Sequence, residues 1–269
     1  MNESLSTWLA LREPADFAAR SLTLTRAIAK AVAARDPVHV LDLGTGRGSN
    51  VRYLSPHLPP RQRWLVVDRD PALLAHASAL MAGRGDCRIE ARQMDLGSLD
   101  DRGLFSGRHL VTASALLDLV SESWLSTLAG RCREVGAAVL FPLNYNGRSR
   151  CSPEEPEDAM VLDLMNRHQH TDKGLGGPAA GPDAAAHAMT IFADAGYDVR
   201  SERTDWMLEP REREFQRRLI EGWAEAAMAI DSGSAARVTD WLGRRLAHVA
   251  AGCSHIVVGH DDVAAWAPR

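Results

Sequence analysis

Seven consecutive residues, Asp42-Leu43-Gly44-Thr45-Gly46-Arg47-Gly48, are the sharpest chemical signal in this 269-residue chain. Glycines at alternating positions let a backbone turn tightly and approach a ligand without a Cβ in the way. A helix starting just after them, near Ser49, would offer free N–H groups and the positive end of its dipole to a carboxylate. The spacing is GxGxG; a dinucleotide fingerprint would want its third glycine where Ser49 stands. Two acids follow. Asp68 could accept hydrogen bonds from a ribose diol, and Asp95 from an adenine amino group.

A second polar set lies further along. Asn166 to Gly174 is the densest polar cluster and holds Lys173, one of two lysines. His168 or His170 could act as a general base there, since imidazole titrates near neutral pH; a solvated loop is the plainer reading. Tyr145, beside Asn144, is an acceptor contact or a packing residue. Asp118 faces the acceptor or caps the helix that follows. His168, His170 and Cys151 show no metal-ligand spacing, so no metal is expected.

The elements that must position these residues alternate. Residues 16–35 read as a helix. Val38 to Leu43 is a short apolar run opening into the glycine turn, a buried strand. A short helix from Ser49 stops before Pro56. Trp64 to Asp68 is a second strand, and Asp70-Pro71 is a helix start. Strands follow at Cys87 to Met94, His109 to Ala113 and Ala137 to Phe141, the last closed by Pro142, with a helix at Ser121 to Arg133 before it. A helix at Ala184 to Ala195, a strand at Tyr197 to Thr204 and a last strand at His255 to Val258 complete the pattern. Between the last two strands run two apolar stripes, one through Phe215, Leu219 and Trp223, the other through Val238, Trp241 and Val249. They predict two helices packed on the domain, or on a second copy of the chain. Such alternation predicts an α/β fold, a doubly wound, mostly parallel seven-stranded sheet with an antiparallel last strand. Ligands of such sheets bind at the carboxyl ends of the strands, where Gly44, Asp68, Asp95, Ser114 and Asn144 fall.

With these strand ends in place, residues 38 to about 142 resemble the class I S-adenosylmethionine (SAM)-dependent methyltransferases. The resemblance implies SAM as cofactor. Gly44, Gly46 and Gly48 would line its methionyl end, Asp42 would orient the amino group, and Asp68 would hold the ribose diol. Asp95, with the Leu96 backbone, would hold adenine, and Ser114 would lie by the methyl. Thr45, Asn50 and Arg69 are counted with this set. On the acceptor side, Asp118, Tyr145, His168 and His170 are the candidates. One Rossmann-like methyltransferase domain is expected over 1–269, with N-terminal helices in 1–37, a lid in 143–183 and a helical insertion in 206–252.

Composition bounds the partners. The formal charge is -4, and 45% of residues are hydrophobic, as in an ordinary globular enzyme. An acidic balance disfavours nucleic acid, and strand four is not followed by the Asn-Pro-Pro-Tyr type of motif that clamps a flipped base. No apolar run has the roughly 18 residues of a membrane span, the start of the chain does not read as a signal peptide, and four scattered cysteines suggest a reducing compartment. The expectation is a cytoplasmic SAM-dependent methyltransferase of a small-molecule acceptor. The alternatives are an RNA methyltransferase, a non-catalytic SAM-binding subunit and, behind these, an NAD(P)-dependent oxidoreductase.

Overall fold

The structure is a computed structural model that describes residues 3–81 and 86–268. Its centre is an eight-stranded sheet in the order β3-β2-β1-β4-β5-β8-β6, with β7 paired to β8 off that path. The strands are β1 (Val38–Leu43), β2 (Gln62–Asp68), β3 (Cys87–Gln93), β4 (Leu110–Thr112), β5 (Ala138–Ser152), β6 (Asp198–Arg203), β7 (Trp206–Leu208) and β8 (His255–Trp266). The first five are parallel neighbours, and β8 runs against β5, β6 and β7. The expected count was seven; β7 is the addition, three residues too short to announce itself by alternation.

The side chains of each strand divide between two layers as the pleat requires. Val38, Val40, Trp64, Val66 and Leu140 point to one face, against Leu24 and Ile28. Leu41, Leu43, Leu65, Val67 and Phe141 point to the other, against Leu125, Leu128 and Phe192. Burial on both faces is why β1 and β2 read as nearly continuous apolar runs.

Helices α1 (Glu3–Ala19) and α2 (Leu22–Ala31) correct the single helix expected over 16–35. The break is at Ser21, whose hydroxyl accepts from the Leu24 N–H at 3.0 Å and caps α2. Next come α3 (Ser49–Leu54), α4 (Pro71–Met81) and α5 (Glu122–Val135). Asp70 caps α4 as expected, accepting from the Ala72 N–H at 2.8 Å.

Pro142 does not close β5. The strand runs through it to Ser152, and pairing with β8 skips register between Phe141 and Asn144. Such a bulge is where a strand can hold a proline, because no ladder bond is asked of it. Asp262 of β8 holds the irregularity together. Its Oδ1 accepts from the Leu143 N–H and the Thr204 hydroxyl, both at 2.8 Å, and its Oδ2 from the Ser21 N–H at 2.9 Å. Residues 143–152, expected to begin a lid, are therefore the outer half of a sheet strand. The rest of that segment holds α6 (Asp158–Gln169) and the polar loop, and α7 (Ala184–Asp194) follows.

The last strand also exceeds its expected end, running from His255 to Trp266. The outer halves of β5 and β8, with β7, support α6, α8 (Arg213–Ile230) and α9 (Ala235–Ala251). Trp241 and Val238 are buried in this cluster, and Trp223 lies at its edge. The Trp241 indole donates to Asp158 at 2.7 Å, and the enclosed Arg245 donates to the same carboxylate. Both apolar stripes thus find cover within the chain. Among the described residues no helix is long and apolar enough to cross a membrane.

Candidate active site

The glycine loop leaves β1 between β2 and β4. Gly44, Gly46 and Gly48 all have positive φ, at 65°, 53° and 77°. At Gly48 the demand is twofold, since a Cβ there would stand 3.0 Å from the Ala77 Cβ. The loop is braced from below. Asp42, fully buried, accepts from the Thr45 hydroxyl and the Asn50 amide, both at 2.6 Å. Asn50 in turn accepts from Arg20 at 2.7 Å and donates to the Thr112 hydroxyl at 3.0 Å. Burial pushes the Asp42 carboxyl up to about 6 despite these bonds.

Above the loop lies a cavity of about 590 Å³, within the usual size range for small-molecule sites. Of the expected cofactor residues, Gly44, Thr45, Gly46, Asn50, Asp68, Arg69, Leu96 and Ser114 line it. Three expectations are corrected. Asp42 does not line the cavity; its oxygens face Thr45 and Asn50. Gly48 packs on α4 instead. Asp95 is turned aside and accepts from the Gly97 N–H at 2.9 Å, as a short polar side chain one turn from its own backbone readily does. Leu96 reaches the cavity, although its carbonyl accepts the Trp124 indole N–H at 2.6 Å.

The cavity is covered by α1. Leu5, Leu9, Arg12 and Asp16 face it from successive turns, and the helix is pinned in place. Arg47 donates to the Ser6 carbonyl and hydroxyl at 3.1 and 2.9 Å, Arg52 holds Glu13 at both oxygens, and the Trp206 indole donates to Asp16 at 3.1 Å. Sequence reasoning gave this helix no role. The signal was present in the spacing of Leu5, Leu9, Arg12 and Asp16, but a stripe with an arginine and an aspartate reads as solvated.

A second cavity of about 850 Å³ adjoins the first and shares Leu5, Leu9, Arg12, Ala115 and Leu119 with it. Asp118, Tyr145 and His168, three of the four residues expected on the acceptor side, line it. His170 does not. Its Nδ1 lies 3.3 Å from the Ala179 carbonyl and its Nε2 3.8 Å from Asp183, on the far side of the loop against Gly181. The polar cluster still reaches both spaces, through Lys173 in the first and His168 and Gln169 in the second.

Asp118 is not a helix cap; Ser121 caps α5, accepting from the Trp124 N–H at 3.1 Å. The carboxyl of Asp118 is buried, and its Oδ1 is enclosed without a partner among the described residues. Desolvation pushes it up to about 6, with Arg12 and Lys173 acting weakly against that. The Tyr145 hydroxyl donates to Asn166 at 2.8 Å and is raised by burial, so it stays protonated. His168 is lowered by burial and by Lys173, whose ammonium donates to the His168 carbonyl at 2.9 Å. Two non-glycine residues at the rim, Ala115 and Leu143, hold positive φ of 50° and 62°. Backbone strain of this kind gathers where a site over-determines the chain.

His260, Trp206, Trp8 and Trp223 complete the second cavity, and none was singled out from sequence for it. His260 lay just beyond the expected end of the last strand, and no local pattern marks it.

Comparison with known proteins bears on the fold. Residues 40–136 match the family model described as a methyltransferase domain. No curated protein matches the sequence. Among solved structures, the chain is similar to the Bacillus halodurans C-125 protein BH2331, provisionally described as a methyltransferase, at 15% identity over 92% of this chain and 100% of that one, TM-score 0.52. It is similar to YcgJ of Bacillus subtilis at 13% identity over 93% and 100% of the two chains, TM-score 0.51. Phosphoethanolamine N-methyltransferase 2 of Haemonchus contortus, in complex with phosphomonomethylethanolamine and S-adenosylhomocysteine, aligns at 16% identity and TM-score 0.49; this chain spans 58% of its length. At these identities the likeness is one of fold.

Proposed function

We propose that this chain, whose residues 40–136 match a methyltransferase-domain family model, transfers a methyl group from SAM to a small-molecule acceptor. The carrying observation is the pair of adjoining cavities. One is bounded by the glycine loop and Asp68, the other by Asp118, Tyr145 and His168, and Arg12, Ala115 and Leu119 belong to both.

The first cavity suits SAM on its own residues. Gly46 brings no side chain to the cavity, Asp68 and Asp70 offer carboxylates, and Leu73 and Leu96 offer apolar surface. In this reading Asp68 accepts from the ribose hydroxyls, Leu73 and Leu96 face adenine, and Ser114 lies at the junction of the two spaces. Bound there, SAM supplies an electrophilic methyl: an acceptor X–H becomes X–CH₃, the broken C–S pair stays on sulfur, and the proton leaves.

The remaining work falls to the chain. Leu5, Leu9 and Leu119 give the shared wall an apolar surface, which a bound acceptor would cover. Asp118 is the group best placed to take the proton, because its carboxyl near 6 is ionised at neutral pH yet basic enough to receive one. Positioning across the shared wall contributes the rest. An acceptor enclosed in about 850 Å³ is a small molecule, and the net charge of -4 disfavours RNA.

The test is calorimetry of SAM and S-adenosylhomocysteine, followed by detection of S-adenosylhomocysteine release with an acceptor panel. Micromolar binding and acceptor-dependent release are expected. No binding of either molecule to the folded protein would overturn the reading.

A further inference from the structure

His260 is the least explained polar group in the second cavity. It lies on β8, is 4% exposed, and is gripped on two sides by aromatic rings. Its ring centroid is 4.5 Å from that of Trp206 and 6.2 Å from that of Tyr145. Its Nδ1 stands 3.0 Å from the Val258 carbonyl, a group that can only accept. That contact fixes the tautomer: Nδ1 carries the hydrogen, and Nε2 presents a lone pair. Burial, with the Arg12 charge nearby, holds the ring neutral far below its ordinary range, at about 3. Among the described residues nothing bonds Nε2.

Asp118 has the same character on the same cavity. It is a buried acceptor whose Oδ1 has no partner. The cations of this cavity are in the opposite condition. Arg12 is held by Asp16 at 2.9 Å, Arg217 by Glu214 and Glu221 at 2.7 Å, and Arg218 by Glu214 at 2.7 Å. The cavity therefore has unmet acceptors and matched cations. Buried acceptors left unpaired are costly, so the ligand that fits is one that brings donors. Four aromatic side chains, Trp8, Tyr145, Trp206 and Trp223, stand among its lining.

We propose that His260 Nε2 and the Asp118 carboxylate form a two-point receptor for N–H or O–H donors on an aromatic methyl acceptor, a neutral phenol or aromatic amine, and that the cavity rejects carboxylates and phosphates. The proposal rests on the methyltransferase reading for the word acceptor, but the receptor itself does not require SAM. His260 selects the substrate by a bond that a group without an N–H or O–H cannot make. Asp118 accepts the second hydrogen and, in turnover, the departing proton.

The experiment uses the full chain and four probes of similar size: catechol, 2-aminophenol, benzoate and phenyl phosphate, with 1,2-dimethoxybenzene as a donor-free control. Binding is read by quenching of tryptophan fluorescence, with and without saturating S-adenosylhomocysteine. Catechol and 2-aminophenol should bind at least about tenfold more tightly than the other three, the equivalent of one net hydrogen bond. His260→Phe should erase most of that preference while leaving S-adenosylhomocysteine affinity unchanged, and His260→Gln, which can still offer an oxygen acceptor, should restore part of it. Equal or tighter binding of benzoate, phenyl phosphate or the dimethoxy control overturns the proposal. So does failure of both donor probes to bind, or an unaltered preference in His260→Phe. If the phenylalanine variant does not fold, the wild-type probe series decides alone. Loss of S-adenosylhomocysteine binding with the donor preference intact would sink the methyltransferase reading and leave the receptor standing.

Discussion

The Gly46 backbone N–H donates to Asp68 Oδ2 at 2.8 Å, so the glycine loop and the end of β2 are joined before any ligand arrives. The other oxygen, Oδ1, accepts from the Asp70 N–H at 3.0 Å. Each oxygen keeps a further lone pair, and the carboxylate cannot swing away from the cavity. A ribose diol would meet a carboxylate already aimed, which lowers the ordering cost of binding.

Asp68→Ala should delete two ligand bonds. Bonds to a charged group contribute roughly 1.5–3 kcal/mol each before non-additivity, so SAM affinity should fall by about 2–4 kcal/mol, on the order of 30- to 1,000-fold. Calorimetry on the folded variant measures it. Unchanged affinity would remove Asp68 from the binding set.

Gly48→Ala tests the loop from beneath. The substitution puts a side chain at φ 77° and a Cβ 3.0 Å from the Ala77 Cβ. The left-handed conformation alone costs roughly 1–2 kcal/mol, which for a chain of this size lowers Tm by about 2–8 °C. Adding Ala77→Gly should recover only part of the loss, since it relieves the contact and not the φ. Differential scanning calorimetry on the single and double variants gives both values.

Asp118 should leave a mark on the pH profile. Its carboxyl is raised to about 6 from an ordinary 3.8, so between those values the folded chain holds a proton that the unfolded chain has lost. Stability then falls as pH rises from about 4 through about 6. Asp42 is shifted the same way and adds to the wild-type slope, so the difference between wild type and Asp118→Asn isolates one residue. The variant should gain Tm relative to wild type at pH 7.5 and gain less at pH 4. If Asp118 takes the proton in turnover, kcat should rise through about pH 6 in wild type, and the variant should lose roughly 10²–10⁴-fold with SAM affinity retained. A variant with an unaltered acid limb would move the base elsewhere.

Asp262→Ala should be the most damaging of these changes. It strips acceptors from Ser21, Leu143 and Thr204 in the buried joint between α2, β5 and β8. Three lost partners at about 1–3 kcal/mol each, not fully additive, predict a loss of roughly 3–5 kcal/mol in urea unfolding. Thr204→Val removes one bond and should cost about 1 kcal/mol. By contrast His170→Ala, outside both cavities, should keep turnover within about threefold of wild type, whereas His168→Ala, which lines the second cavity, should not.

The parallel half of the molecule is legible in its local residue pattern. Val38 to Leu43 and Trp64 to Asp68 are buried on both faces, so each carries its own apolar run, and the glycines between them need no partner to reveal a turn. Asp68 and Ser114 were legible because strand ends in such a sheet fall on one edge. The long arms of β5 and β8 were not legible. Pro142 argued locally for a stop, and only pairing with β8, with Asp262 tying the bulge, makes continuation favourable. Asp95 stood at the right strand end, but its carboxylate is engaged by the backbone two residues on, at Gly97. The cover over both cavities was decided in three dimensions as well. Arg12 and Asp16 look solvated in α1 until Trp206 and the glycine loop come beneath them, nearly two hundred residues apart in one case. His260 needed the same long-range folding for its neutrality, which comes from burial beside Trp206; only its tautomer is set nearby, by the Val258 carbonyl two residues back.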